Sequence, residues 1–119
     1  MDDELQQQRT TLLELRVDAA ERLATTSRML QSLLADRAGA NDDDEHDPDG
    51  ATLSSEWSRL TGLEEAAAAK LAQVDDALAR LDAGTYGICV SCGQPIPAAR
   101  LEARPFAERC VRCAEKFVG

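Results

Sequence analysis

The residues best equipped for chemistry are four cysteines in two close pairs, Cys89-x2-Cys92 and Cys110-x2-Cys113, with seventeen residues between the pairs. A Cys-x2-Cys turn aims two thiolates at one point, and two such turns complete the tetrahedron that zinc accepts. Gly93 follows Cys92 and relieves the crowding that a side chain would bring to the first turn. Four thiolates close the coordination shell, so water finds no position on the metal and the expected zinc is structural. Two other chemistries use the same residue types. A thioredoxin-like redox pair needs a βαβ surrounding, which neither pair has. Iron in a rubredoxin-like site is the other alternative.

The second reactive stretch is Asn41-Asp42-Asp43-Asp44-Glu45-His46-Asp47-Pro48-Asp49-Gly50, which crowds six carboxylates into ten residues. Side chains that repel each other this strongly stay in water or face a cation. Asp-Pro and Asp-Gly are turn punctuation, because proline disfavours helix in the residue before it and glycine permits positive φ. The chain is therefore expected to reverse here. His46, a lone histidine among carboxylates, reads as a solvated loop residue.

Long helices must flank that turn. From Asp2 to about Arg37 nothing interrupts helix, and Leu5, Leu12, Leu15, Ala19, Leu23, Thr26, Leu30 and Leu33 recur at three-, four- and seven-residue steps on one face. Arg9, Arg16, Arg22 and Glu14 lie off that stripe and read as a solvated face. A second helix is expected to start near a cap at Thr52 or Ser54 and to end near Asp82, with Gly84 as terminator. Its stripe is Leu53, Trp57, Leu60, Glu64, Ala67, Leu71, Val74, Leu78 and Leu81, a 4-3 alternation that only Glu64 interrupts. Trp57 is expected to close the distal end of the helix pair. Gly62 has no evident reason to stand inside a helix, where it costs about 1 kcal/mol relative to alanine.

Composition agrees with this architecture. Only 3% of the 119 residues are aromatic, and the hydrophobic share is mostly alanine and leucine, the composition of long helices. The expected fold is mainly α: an antiparallel coiled-coil hairpin over residues 1–83 with its acidic tip at 41–51, then a small zinc ribbon with a short terminal helix over 84–119. Residues 1–83 hold 19 acidic and 8 basic side chains, and residues 84–119 hold 3 and 5. Such a field repels phosphate, which excludes duplex DNA as a partner of the helices and favours a basic protein surface. No apolar run reaches the ~18 residues of a membrane span, and Met1-Asp2-Asp3-Glu4 is the reverse of a secretory leader. A cytosolic protein is expected, where reduced thiols favour metal over disulfides. Charged free faces on both helices point to a monomer.

The run Tyr86-Gly87-Ile88-Cys89-x2-Cys92-Gly93-x2-Ile96-x3-Arg100-Leu101-Glu102-Ala103-Arg104-Pro105, ending in Cys110-x2-Cys113, closely resembles the zinc-finger signature of the DksA/TraR family. The resemblance implies a non-enzymatic regulator that binds bacterial RNA polymerase without binding DNA, passing its coiled coil through the secondary channel toward the catalytic magnesium. It implies a tip comprising Asp47, Asp49 and Ala51 near the active centre, and docking of the base with contributions from Arg100 and Arg104. Well-known members carry Asp-x2-Asp-x-Ala at the tip. Here the ungapped register places Asp49 and Ala51 on the second Asp and the Ala, and His46 on the first Asp, with Asp47 and Glu45 one residue away. Ala66, Gln73 and Ala114 fall where members that respond to guanosine tetraphosphate, the alarmone of the stringent response, carry basic side chains. A weak or absent alarmone dependence is expected, since phosphates need cations to hold them.

Two other functions fit part of the pattern. A Gre-type transcript-cleavage factor also presents carboxylates on a hairpin tip and could hold a second magnesium with them, but its base is not a zinc ribbon. A zinc-stapled interaction module would bind another protein and never enter polymerase. Release of short RNA identifies the first, and failure to compete with secondary-channel factors identifies the second.

Overall fold

A computed structural model describes the backbone of residues 2–40 and 50–118 and the side chains of 3–36 and 53–117. The elements in order are α1 (Asp2–Ala40), α2 (Gly50–Ala83), α3 (Ala98–Ala103) and α4 (Val111–Val118). No strand occurs among the described residues, only an isolated antiparallel bridge between Ile88 and Pro95. The fold is mainly α, with a long helical hairpin ahead of the cysteine segment. Both long helices exceed their expected limits: α1 continues past Arg37 through Gly39, and α2 begins at Gly50, ahead of Thr52 and Ser54. The cost of one glycine is about 1 kcal/mol, which a helix of 39 residues absorbs. Among the described residues no helix is long and apolar enough to cross a membrane.

By compactness the chain forms two units, Met1–Val17 with Leu71–Gly119, and Asp18–Lys70. In the first, Leu12, Val74, Ala77 and Leu81 form a buried core against which Leu15, Leu78, Tyr86 and Phe106 pack. Fully burying a side chain such as Leu12 or Val74 contributes about 1.5–3 kcal/mol. Ala77, which lies off the expected stripe, is fully buried. Arg9 donates to Asp82 at 2.8 Å and Arg16 to Asp75 at 2.6 Å. These two arginines, expected on a solvated face, cross to α2. A step of seven residues forward on α1 matches seven backward on α2, so the pairs mark an antiparallel register. Each is half-exposed and contributes about 0–1 kcal/mol, so their value lies more in register than in stability. The same register explains Leu5, expected in the seam but 47% exposed: four residues before Arg9, it faces beyond the last residue of α2.

That end of α2 is capped as its sequence suggested. Gly84 takes φ +79°, Thr85 N–H reaches the Arg80 carbonyl at 2.9 Å, and Gly84 N–H reaches that of Leu81 at 3.2 Å. The two bonds form a Schellman motif, which satisfies carbonyls that the helix leaves open and turns the chain into the cysteine segment.

In the second unit Ala19, Thr26, Leu30 and Leu60 are buried. Glu64, the polar interruption of the seam, is half-buried and accepts a hydrogen bond from the Ser27 hydroxyl at 2.7 Å. Trp57 is 39% exposed. Gly62 is exposed, and a Cβ built there would meet nothing within 4 Å.

Candidate zinc site

Two short loops carry the cysteines. In the first, Cys89 N–H donates to the Gln94 carbonyl at 2.8 Å, and Gly93 N–H donates back to the Cys89 carbonyl at 2.9 Å. Gly93 takes φ +76°, which a side chain would resist. In the second, the Cys110 carbonyl accepts Ala114 N–H at 2.9 Å and starts α4, whose first turn holds Cys113. The four Sγ atoms all lie within 4.8 Å of one another, with Cys92 and Cys110 at 3.9 Å. Zinc–sulfur bonds of about 2.3 Å place tetrahedral sulfurs about 3.8 Å apart, so the arrangement fits one structural zinc ion.

The ionisation of the thiols matches a site built for a cation. Burial pushes the Cys89 thiol upward, but the backbone N–H groups of Cys92, Cys110 and Ser91, with the Cys92 thiol, outweigh it and bring Cys89 down to about 6. Backbone N–H of Cys113 likewise lowers Cys110. Cys113 is pushed up to about 12, first by its hydrogen bond with the Cys110 side chain and then by burial. Sulfurs this close cannot all hold negative charge unless a cation shares it, and a zinc ion would supply that charge.

Side chains outside the cysteine pairs hold the two loops together. Arg109 donates from Nε to the Ser91 hydroxyl at 2.9 Å, joining the second loop to the first, and stacks 3.8 Å from the Phe117 ring centroid. Val90 N–H donates to the Glu108 carbonyl at 2.9 Å. From α2, Arg80 donates to the carbonyls of Phe106 and Ala107 at 3.4 and 3.5 Å. The Tyr86 hydroxyl donates to the Pro105 carbonyl at 2.7 Å. None of these ties is carried by the cysteine spacing. The sequence does place Arg80 in the last turn of α2, where a cation complements the helix dipole, and Tyr86 just past the terminating glycine.

The other anticipated site residues are not gathered at this centre. Arg100 is half-buried and its Nε donates to the Arg109 carbonyl at 2.7 Å, a tie to the loop before Cys110. Arg104 is exposed. At the hairpin tip, Ala51 belongs to α2, and Asp47 and Asp49, like His46 and Glu45, lie outside the described residues.

Comparison with known proteins gives a consistent likeness. Residues 84–118 match the prokaryotic dksA/traR C4-type zinc finger. The chain is 46% identical over 46 residues to the RNA polymerase-binding transcription factor DksA of Caulobacter vibrioides, covering 39% of this chain and 32% of that protein. It is 38% identical over 72 residues to general stress protein 16O of Bacillus subtilis, covering 60% of this chain and 44% of that one. The match thus spans less than half the length of these curated relatives. The solved structure of transcription factor DksA2 from Pseudomonas aeruginosa superposes with a TM-score of 0.77 at 27% identity, over 97% of this chain and 83% of that one.

Proposed function

Because the chain belongs to the DksA/TraR family, we propose that it is a non-enzymatic transcription regulator that binds RNA polymerase and acts through the secondary channel. The observation that carries this reading is the superposition on DksA2 across 97% of the chain, hairpin and zinc finger together. In this reading residues 1–83 are the inserted hairpin, and residues 84–119, with zinc on Cys89, Cys92, Cys110 and Cys113, form the base that stays outside. Asp47, Asp49 and Ala51 work near the polymerase active centre, and exposed Arg104 contributes to docking, with Arg100 holding the surface beside it. The net charge of -9 supports a protein partner over DNA. Since Ala66, Gln73 and Ala114 carry no charge, the effect on transcription is independent, or nearly so, of guanosine tetraphosphate; a severalfold increase on adding the alarmone would overturn that part.

The test is the affinity of the zinc-loaded protein for purified core RNA polymerase from its own source, with a known secondary-channel factor as competitor. Saturable, competitive binding is expected, and no binding at micromolar concentration would reject the reading. With binding in hand, Asp49→Ala should keep the affinity and lose the transcriptional effect. Loss of both would make the tip an anchor.

A further inference from the structure

Within the first unit a groove of about 370 Å³ opens between the start of α1 and the zinc segment. Its floor is apolar: Ile96 is 4% exposed, with Leu101 and the Tyr86 ring half-buried beside it. Glu4 and Gln7 from α1 and Glu102 from α3 line it as well. The Tyr86 hydroxyl is committed to Pro105, and the Thr11 hydroxyl to the Gln7 carbonyl. The carboxylates of Glu4 and Glu102 have no hydrogen-bond or ion-pair partner among the described residues. No lysine or arginine among the described residues lines the groove.

Resting on the reading that the protein docks on polymerase, we infer that this groove receives an arginine side chain presented by the polymerase surface. The chemistry favours that occupant over others. Two carboxylates from different elements repel phosphate and nucleic acid and attract a cation. The apolar floor suits the aliphatic stem, and a guanidinium can stack on an aromatic ring while forking its N–H groups toward carboxylate oxygens. Lysine, a compact and strongly hydrated charge, uses such a surface less well. The groove also gives the acidic chain a point of specific recognition in addition to its general field.

The test uses the full zinc-loaded chain and core RNA polymerase, with the double variants Glu4→Gln/Glu102→Gln and Glu4→Arg/Glu102→Arg and the control Glu115→Gln on α4. Circular dichroism and zinc content verify that each variant folds; all the substituted positions are exposed. The neutral pair is expected to bind at least about tenfold more weakly with a shallower salt dependence, the reversed pair more weakly still, and the control like the unmodified chain. Binding by the unmodified chain that both double variants retain overturns the groove alone. Absence of binding by the unmodified chain overturns the polymerase reading and this inference with it.

Discussion

The guanidinium of Arg80 lies 3.7 Å from the Glu108 carboxylate, which also meets Arg109 at 2.5 Å. Arg80 thereby ties the last turn of α2 to the chain entering the second cysteine loop, with its side chain only 13% exposed and its Nε buried without a hydrogen-bond partner among the described residues. Arg80→Met keeps the aliphatic stem and strips the donors from the Phe106 and Ala107 carbonyls. Because those hydrogen bonds are long and Glu108 keeps Arg109 as a partner, the expected destabilisation is about 2 kcal/mol, below the roughly 3–5 kcal/mol for leaving a buried charge unpaired. Urea unfolding of the zinc-loaded protein measures it, and an unchanged midpoint would show that the tie carries no stability.

Cys110→Ser removes one of four ligands and should abolish tight zinc binding, which is expected at one ion per chain in the unmodified protein. The loss should reach beyond the loops, since Tyr86 and Phe106 from the cysteine segment pack on the core formed by Leu12, Val74, Ala77 and Leu81. Hydrogen exchange after chelation should therefore rise at residues 84–118 and also in the neighbouring turns of α1 and α2. Exchange confined to the two cysteine loops would refute the coupling.

Tyr86 titrates above its ordinary value of 10.0 because burial disfavours the phenolate, an effect that the charge of Arg80 partly offsets. The folded state thus holds the proton more tightly than the unfolded state does. This contribution is fully present below about pH 10 and is lost as pH rises through the folded value. The chain has one tyrosine, so phenolate absorbance reads this group alone; its midpoint should fall when the protein is unfolded in denaturant. Tyr86→Phe should cost about 1 kcal/mol at neutral pH through the lost hydrogen bond to Pro105.

Gly62→Ala should stabilise the protein by about 0.5–1 kcal/mol, since the glycine is helical, exposed and open around a new Cβ. Thermal unfolding decides it. A lower midpoint would mean that the glycine meets a packing need that the free chain does not display.

Periodicity and spacing carried most of the fold and the whole metal site. The two apolar stripes located Leu12, Leu30, Leu60, Val74 and Leu81 in the interior, because a helix face is written in residues three and four apart. Four cysteines at ribbon spacing located the zinc centre for the same local reason. Arg9 and Arg16 keep the half-exposed positions expected of them, but charge type does not reveal a partner 73 or 59 residues away. Ala77 escaped because alanine suits core and surface alike. The ties of Arg80, Tyr86 and Arg109 run through backbone carbonyls and a serine hydroxyl, acceptors that no sequence pattern distinguishes.

The first compact unit joins Met1–Val17 to Leu71–Gly119 across an intervening stretch that belongs to the other unit. On a ribosome Leu12 emerges long before Val74, Ala77 and Leu81, and at ordinary elongation rates of roughly 5–20 residues per second the wait lasts several seconds. During that interval the apolar face of α1 has no intramolecular cover in this unit, and residues 18–70 complete their own pairing just before it ends. The closing contacts bridge long stretches of chain, 59 residues from Arg16 to Asp75 and 73 from Arg9 to Asp82, so their loop-closure entropy falls on the last step of assembly. The cysteines emerge after both helices, which makes zinc capture a late event in the birth of the molecule and leaves the nascent chain dependent on the far half of its hairpin until then.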